Sequence, residues 1–156
     1  MTYALDETDK AILKLIQKNS RMTIKEMAVK LNVSTTPIFD RMKKMEKAGV
    51  ISNYVALVDP KTIGRNLIVF INISLKEPGK KAINEFVNKI IKYPEVIECH
   101  HITGNADFLL KLIMKDIEDY NHFILEELSL IPHIGRVESR FSLSQRKLVT
   151  AIPIDQ

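Results

Sequence analysis

Residues 23–51 contain two amphipathic helix patterns separated by a short break, and this stretch constrains the fold most strongly. The apolar positions are Ile24, Met27, Ala28 and Leu31 in the first pattern, and Ile38, Met42 and Met45 in the second. A Thr-x-x-Glu capping box predicts that the first helix begins at Thr23. Gly49 is a typical C-cap for the second. The stretch therefore predicts a helix, a tight turn and a second helix.

The second helix has two chemically different faces when its residues are placed 100° apart. The predicted inward face is Ile38, Phe39, Met42 and Met45, and the predicted outward face is Thr36, Asp40, Lys43, Lys44 and Lys47. Arg41 lies at the border between them. Pro37 fits the first turn, and its constraint on the preceding residue predicts Thr36 as the N-cap. Ser34 and Thr35 would then lie in the turn, where they can meet phosphate.

A helix-turn-helix of this kind places its second helix in the major groove of DNA. A solvated basic helix without a partner is the alternative interpretation. The coincidence of the cations with two capped helices at this spacing favours DNA binding. The predicted DNA-binding residues are Ser34, Thr35, Thr36, Pro37, Asp40, Arg41, Lys43, Lys44 and Lys47. Of these, Thr35, Thr36 and Asp40 are best placed to read base edges, and the cations to hold phosphate.

The excess positive charge is confined to the same part of the chain. Residues 1–64 contain 11 Lys and Arg against 7 Asp and Glu, whereas residues 65–156 contain 12 of each. A concentrated basic region binds nucleic acid in a salt-dependent way, because neutralised phosphates release counterions. The balanced C-terminal part must serve another purpose.

Length and composition predict a cytoplasmic protein without a membrane anchor, and association with the nucleoid would follow from DNA binding. The 156 residues suffice for one ordinary domain or two small ones, and an apolar content of 46% supports a real core. The sequence has no signal-peptide pattern and no apolar run that would span a bilayer. The single Cys99 excludes an intramolecular disulfide framework and suits a reducing compartment.

The chain divides into three predicted parts. Residues 1–50 form a helix-turn-helix, winged-helix-like DNA-binding domain, whose first helix is capped by Asp6 or Thr8 and ends near Asn19. Residues 51–66 form a strand and hinge linker, in which 51–57 reads as the strand. Residues 67–156 form a second domain, for which a family resemblance implies effector binding and oligomerisation.

The third part contains a repeated strand–helix–strand pattern. Strands are predicted at 67–75, 96–103, 108–115 and from 134 toward 148, with helices at 82–91 and 117–128. This βαββαβ order predicts an α+β fold of the ferredoxin-like type. Residues 67–75 are apolar on both faces, so the face away from the helices would be exposed and apolar. Such a surface predicts a homodimer.

Four segments together resemble the Lrp/AsnC (leucine-responsive regulatory protein/asparagine-synthetase regulator) family of transcription factors: residues 5–21, 32–51, 97–111 and 130–141. The most specific motifs are Ser-x-Thr-Pro-x-x-x-Arg at 34–41 and Gly-x-x-Asp at 104–107. The resemblance implies double-stranded DNA as a partner, dimers that often assemble into octamers, and an amino-acid-like effector with no other cofactor.

The resemblance also implies where an effector would bind. The matching residues are His101, Ile102, Thr103, Gly104, Asn105, Ala106 and Asp107, with Gly135 and Ser139 contributed by a neighbouring dimer. Turn amides would take the ligand's carboxylate and Asp107 its ammonium group. The chain departs from the family at His133, where glycine is usual, and at Ser139, where threonine is usual. The departures leave the identity of the effector open.

Other interpretations of these residues are weaker. Residues 104–107 read on their own as a tight hairpin turn. Cys99 and His101 would share one face of a strand while His100 takes the other, which is too few ligands for a zinc site, so no metal is predicted. The sequence contains no Gly-x-Ser-x-Gly motif, no phosphate-binding glycine loop and no His-Glu-x-x-His motif, so no enzyme is predicted.

The sequence thus predicts a sequence-specific DNA-binding transcriptional regulator that responds to an amino acid or a related small effector. An architectural DNA-wrapping protein without an effector is the first alternative. A metabolite-binding or enzymatic module, whose N-terminal helices mediate only protein contacts, is the second. The localised basic excess argues against this second alternative.

Overall fold

A computed structural model describes residues 3–155 and divides the chain into two compact units. The helical unit comprises the residues up to Leu57 together with the C-terminal segment from Lys147, and the sheet unit comprises Val58–Arg146. The predicted boundaries assigned residues 147–156 to the second domain, whereas the described part of this segment groups with the first. Among residues 3–155, no helix is both long and apolar enough to cross a bilayer.

Three helices form the helical unit: α1 (Glu7–Lys18), α2 (Ile24–Leu31) and α3 (Thr35–Lys47). Capping boxes at Asp6 and Thr23 start the first two helices. The sequence predicted the box at Thr23, and of the two predicted caps of the first helix, Asp6 and Thr8, the cap is Asp6. Asn32 ends α2 in the left-handed conformation, with φ of 53°. The buried side chains between the helices are Ile12, Leu13, Ile16, Met27, Ala28, Ile38, Met45 and Ile51.

The start and the faces of α3 differ from the sequence prediction in two respects. The N-cap is Ser34, and Thr36 lies inside the first turn. Pro37 is tolerated there because first-turn amides have no acceptor within the helix. Phe39 was assigned to the core and is 47% exposed. Ile38 and Met45 already fill the inward face, so Phe39, turned by 100° from Ile38, is directed outward.

The C-terminal segment is bound to α1 by hydrogen bonds and by one apolar side chain. The Gln17 side-chain amide donates to the Ile152 carbonyl at 3.1 Å, and the Ile152 N–H donates to Gln17 Oε1 at 2.6 Å. Ile154 packs against the core of the helical unit. Residues 51–57, predicted as a strand, form no β-ladder with any other part of residues 3–155.

The sheet unit contains four strands and the helices that cover one face of their sheet. The elements are β1 (Leu67–Leu75), α4 (Lys80–Ile90), β2 (Val96–His101), β3 (Phe108–Met114), α5 (Ile117–His122) and β4 (Ile134–Phe141). The strand order is β2-β3-β1-β4 and each neighbouring pair is antiparallel. The predicted ferredoxin-like βαββαβ topology is therefore confirmed.

The sheet unit has its own core on the helix-covered face. Alternate residues of β1 and β3 are buried there against α4 and the segment after α5. The buried set is Val69, Ile71, Ile73, Leu75, Phe108, Leu110, Leu112 and Met114 from the strands, with Ala82, Phe86, Ile90, Phe123, Leu128 and Ile131 opposite them. The other face exposes or half-exposes Ile68, Phe70, Leu109 and Ile113.

The second helix of the sheet unit is less regular than predicted. Regular α-helix ends at His122, a wider π-helical turn spans Phe123–Glu127, and a 3-10 turn follows at Leu128–Leu130. Phe123, in this wider turn, is buried, whereas the predicted inward residues Ile117 and Leu125 are exposed. Strand β4 also ends earlier than predicted, at Phe141, which pairs with Val69 of β1.

We predict that Ile154 stabilises the helical unit and that its neighbour Ile152 does not. Replacing the half-buried Ile154 by alanine should lower the free energy of unfolding by about 1 kcal/mol, from the apolar surface it removes from water. Hydrogen exchange of the α1–α3 amides should accelerate accordingly. Ile152→Ala, at a side chain that is 73% exposed, is the matched control. Equal exchange in both variants would contradict a stabilising role for Ile154.

Candidate nucleic-acid interface and ligand site

The outer face of α3 presents most of the residues that were predicted to bind DNA. The exposed residues of this set are Ser34, Thr35, Thr36, Pro37, Asp40, Lys43, Lys44 and Lys47. Within residues 3–155, no carboxylate oxygen lies within 4.0 Å of Lys44 or Lys47, so their charges are available to an outside partner. The three polar side chains Thr35, Thr36 and Asp40 occupy the N-terminal half of this face.

Arg41 differs from the other predicted DNA-binding residues because its guanidinium group is held inside the helical unit. Its Nη1 donates to Asp9 Oδ1 at 2.8 Å and also to an oxygen of Asp6. Hydrogen bonding to Asp9 and then to Asp6 raises the pKa of Arg41. These bonds join the middle of α3 to the start of α1.

Asp9 is the buried end of this ion pair, with only 2% of its surface exposed. Its Oδ2 accepts hydrogen bonds from the Tyr3 hydroxyl and the Asp6 N–H, both at 3.2 Å. The Asp6 carboxylate in turn accepts from the Asp9 N–H at 2.9 Å. This bond and, next, the bond from Arg41 lower the pKa of Asp6. The α1 capping box and the ion pair to α3 are thus one network.

Lys43 is held by its neighbours on α3. Its Nζ lies 2.8 Å from Glu46 Oε2 and 5.9 Å from the centroid of the Phe39 ring. The Tyr54 hydroxyl donates to the other Glu46 oxygen at 3.1 Å. Bonds from Lys43 and then Tyr54 lower the pKa of Glu46, while burial and then Glu46 raise the pKa of Tyr54 to about 12. Glu46 therefore compensates the charge of Lys43.

Two residues that shape this interface, Phe39 and Asp9, were not predicted from the sequence to do so. Phe39 was placed in the core, although a stricter reading of the 100° spacing from Ile38 would have turned it outward. Asp9 was not singled out, because its partner Arg41 is 32 residues away and no local pattern joins them.

The loop between β2 and β3, residues 102–107, holds most of the predicted effector-binding residues and is fixed to the end of β1. The Asp107 N–H donates to the Ile73 carbonyl at 2.9 Å, and Asp107 Oδ2 accepts from the Leu75 N–H at 2.7 Å. The Ser74 hydroxyl donates to the Asn105 carbonyl at 3.3 Å. One oxygen of the predicted ligand-binding carboxylate therefore already has a structural partner.

Two glycines shape this end of the sheet. Gly104 has φ of 114°, a conformation that side chains with a Cβ rarely adopt, and open space surrounds the position where a Cβ would lie. A Cβ at Gly135 would lie 3.2 Å from the Ser74 carbonyl oxygen and the Lys76 nitrogen, so a larger residue here would require the backbone around Ser74 and Lys76 to move by a few tenths of an ångström. Ser74 thus neighbours both the 102–107 loop and Gly135.

The contacts of Ser139 and His101 involve residues other than Ser74. Ser139 pairs with Ile71 in the β1–β4 ladder, and its hydroxyl accepts from the Tyr120 hydroxyl at 2.6 Å. His101 stacks on Phe108 with ring centroids 4.9 Å apart. The structure of one chain therefore gathers the loop and Gly135 together, but not Ser139.

His133 adopts the left-handed conformation with φ of 71°. Its Nε2 lies 2.9 Å from Glu85 Oε2 on α4, and its carbonyl accepts from the Lys76 N–H at 2.8 Å. Left-handed backbone costs a non-glycine residue about 1 kcal/mol. These two contacts offset that cost at the turn before β4.

The Cys99-His100-His101 sequence is divided between the two faces of β2. Cys99 packs against the core, and burial raises the pKa of its thiol. His100 lies 3.3 Å from Glu98 on the open face, where Glu98 also pairs with Lys111 at 2.7 Å. Within the described part of the chain, no three His, Cys, Asp or Glu side chains come together in a way that would hold a metal ion.

Two protein-family models match the two parts of the chain. A model described as a winged helix-turn-helix DNA-binding domain matches residues 5–52. A model described as the Lrp/AsnC ligand binding domain matches residues 68–152. Each match contains one group of residues described above, α3 in the first and the 102–107 loop in the second.

Known proteins resemble the chain over nearly its whole length. The transcriptional regulator AzlB of Bacillus subtilis is 33% identical over 156 residues, which cover 100% of this chain and 99% of AzlB. The complex of the Neisseria meningitidis regulator NMB0573 with L-Met superposes with a TM-score of 0.91 at 33% identity, covering 96% of this chain and 97% of that one. Escherichia coli AsnC gives 0.87 at 28% identity, covering 94% and 97%. The chain therefore belongs to the Lrp/AsnC family of transcriptional regulators.

Proposed function

We propose that this regulator binds specific DNA sequences through the outer face of α3 and responds to an amino acid bound beside the 102–107 loop. The observation that carries the DNA part is the pairing state of the cations on α3. Lys44 and Lys47 have no carboxylate partner within the described chain, whereas Arg41 is bound to Asp6 and Asp9. The ion pairs of Arg41 thus hold α3 against the start of α1, and Lys44 and Lys47 remain available to bind phosphate.

The residues of α3 and its N-cap Ser34 fall into groups with different proposed roles. Lys44 and Lys47 bind phosphate, as do Ser34 and the first-turn amides, because the positive end of a helix dipole favours anions. Thr35, Thr36 and Asp40 face base edges. A hydroxyl can donate to or accept from a base, and a carboxylate accepts from the cytosine amino group. Pro37 sets the first turn. Arg41 orients the helix, and Lys43 keeps its neighbours Phe39 and Glu46 in place.

The ligand part of the proposal rests on the ligand-binding domain match and on the complex of the similar Neisseria meningitidis regulator with L-Met. The exposed loop amides around Gly104 and Asn105 would take the carboxylate of the ligand. Asp107 would use the oxygen not bonded to Leu75 for the ammonium group. His101, Ile102, Thr103 and Ala106 complete the loop side, and Gly135 and Ser139 the strand side.

We further propose that the sheet unit dimerises through its open face and that dimers assemble into octamers on cytoplasmic DNA. Ile68 and Ile113 are cross-strand partners on that face, and Phe70 lies beside them, which gives an apolar centre. The Glu98–Lys111 ion pair borders it. An apolar patch with a charged rim is typical of a protein–protein interface.

An architectural DNA-wrapping protein without an effector is the second candidate function. Asp107 supports it, because one of its oxygens already accepts a hydrogen bond from the Leu75 N–H at the end of β1. That structural role alone would account for an aspartate at this position. Competition between a selected duplex and random duplex separates the two candidates. A specific regulator should prefer the selected duplex by about a thousandfold or more, and a wrapping protein should not.

We predict that Lys44→Ala weakens DNA binding by removing a phosphate contact. The slope of log binding constant against log salt concentration should fall in magnitude by about one unit per subunit, with the preferred sequence unchanged. Lys81→Ala, at an exposed lysine of α4 in the sheet unit, is the control and should keep the slope. An unchanged slope in Lys44→Ala would show that this lysine does not reach phosphate.

We predict that one amino acid changes the affinity for a selected duplex at least about fivefold, the lower range of allosteric coupling. Asp107→Asn should abolish that response, because asparagine keeps an acceptor for the Leu75 N–H and loses the charge that the ligand needs. Asp107→Ala should in addition lower the free energy of unfolding by about 1 kcal/mol. Mobility shifts titrated with L-Met first, and then with the other amino acids, measure the response.

Asp59→Asn is the control for loss of a carboxylate elsewhere, since asparagine is an equally good cap at that exposed position. It should respond as the unmodified chain does. An undiminished response in Asp107→Asn would refute the assigned role of Asp107. Affinity that no amino acid alters would favour the wrapping function.

A further inference from the structure

Phe39 is an exposed aromatic residue at the border of the outer face of α3. It is 47% exposed and takes no part in the core of the helical unit, although Ile38 beside it is fully buried. Its angular neighbours on the helix, within about 60°, include Thr36 and Lys43. The ring therefore lies beside Thr36, one of the side chains proposed to face base edges.

The surroundings of the ring hold it in a defined position. Lys43 Nζ lies 5.9 Å from the ring centroid and is bonded to Glu46, which Tyr54 holds in turn. Phenylalanine has only two side-chain torsions, so little conformational entropy is lost when the ring is buried in a complex. The apolar surface is thus presented in an ordered form before DNA binds.

The chemistry of the major groove offers one feature that matches such a ring. Most groups on base edges there are hydrogen-bond donors or acceptors, and the 5-methyl group of thymine is the apolar one. A phenyl ring has no hydrogen bond to offer a donor or acceptor, and burying it against one would leave that polar group unsatisfied.

We propose that Phe39 packs against the 5-methyl group of a thymine in each half-site and is a specificity-determining residue of the DNA interface. This inference rests on the proposed function of α3. Thr35, Thr36 and Asp40 then read polar base edges beside a thymine that Phe39 selects by its methyl group.

Replacement of thymine by uracil tests the inference, because it removes only the methyl group and keeps the base pair. A duplex is first selected from a random library with the unmodified chain, and each thymine is then replaced in turn. One position per half-site should lose affinity about fourfold, the factor that burial of one carbon group supplies. Phe39→Ala should bind the thymine and uracil duplexes equally, and its salt slope should stay unchanged.

Two further variants control for general effects of the substitution. Val29→Ala shortens an apolar side chain of α2 that is 82% exposed, and this variant should keep the fourfold preference. Phe39→Leu keeps an apolar side chain and should keep more of the preference than Phe39→Ala. It also serves as the informative variant if Phe39→Ala fails to fold.

Three outcomes would overturn the inference. In the first, no thymine of the selected duplex proves sensitive to loss of its methyl group. In the second, Phe39→Ala and Phe39→Leu both retain the full sensitivity. Alternatively, Phe39→Ala loses affinity equally for the thymine and uracil duplexes while the unmodified chain ignores the methyl group, which would indicate a wedge between bases. A chain that selects no sequence at all would instead refute the proposed function, and the inference with it.

Discussion

The ion pair between Asp9 and Arg41 is the interaction on which the proposed DNA interface depends. Removal of a carboxylate from water costs several kcal/mol unless donors replace the lost hydration. Asp9, almost fully buried, has three such donors: the Tyr3 hydroxyl, the Asp6 N–H and Arg41. Because a buried pair of this kind is weak evidence for stability, its main contribution is geometric. It joins the start of α1 to the middle of α3 and so fixes which side chains α3 turns outward.

Short-range features of this fold could be read directly from the sequence. The capping box at Thr23 acts within four residues, and the apolar runs of β1 and β3 each lie within one strand, so local patterns suffice to predict them. The predictions that were wrong concern features that depend on the rest of the fold. Phe39 is exposed because other side chains fill the core, and α5 ends in a wider turn because Phe123 packs inward.

The candidate site shows the same division between local and long-range information. The outer residues of α3 were predicted from helical spacing, and the 102–107 loop from the family resemblance. Neither source could show that Arg41 bonds to residues more than thirty positions away, or that Asp107 bonds to the Leu75 amide. Both contacts join segments distant in sequence. In the proposed function, Arg41 is therefore a positioning residue, and Asp107 shares its carboxylate between the Leu75 amide and the ligand.

The measurement that tests the central claim most directly is a double-mutant cycle on DNA affinity. The affinity for a selected duplex is compared in the unmodified chain, Asp9→Asn, Arg41→Gln and the double variant. If Arg41 acts by orienting α3 through Asp9, the double variant should lose no more affinity than the worse single variant, a coupling of about 1–3 kcal/mol. Additive losses would contradict the account and show that Arg41 contacts DNA independently of Asp9.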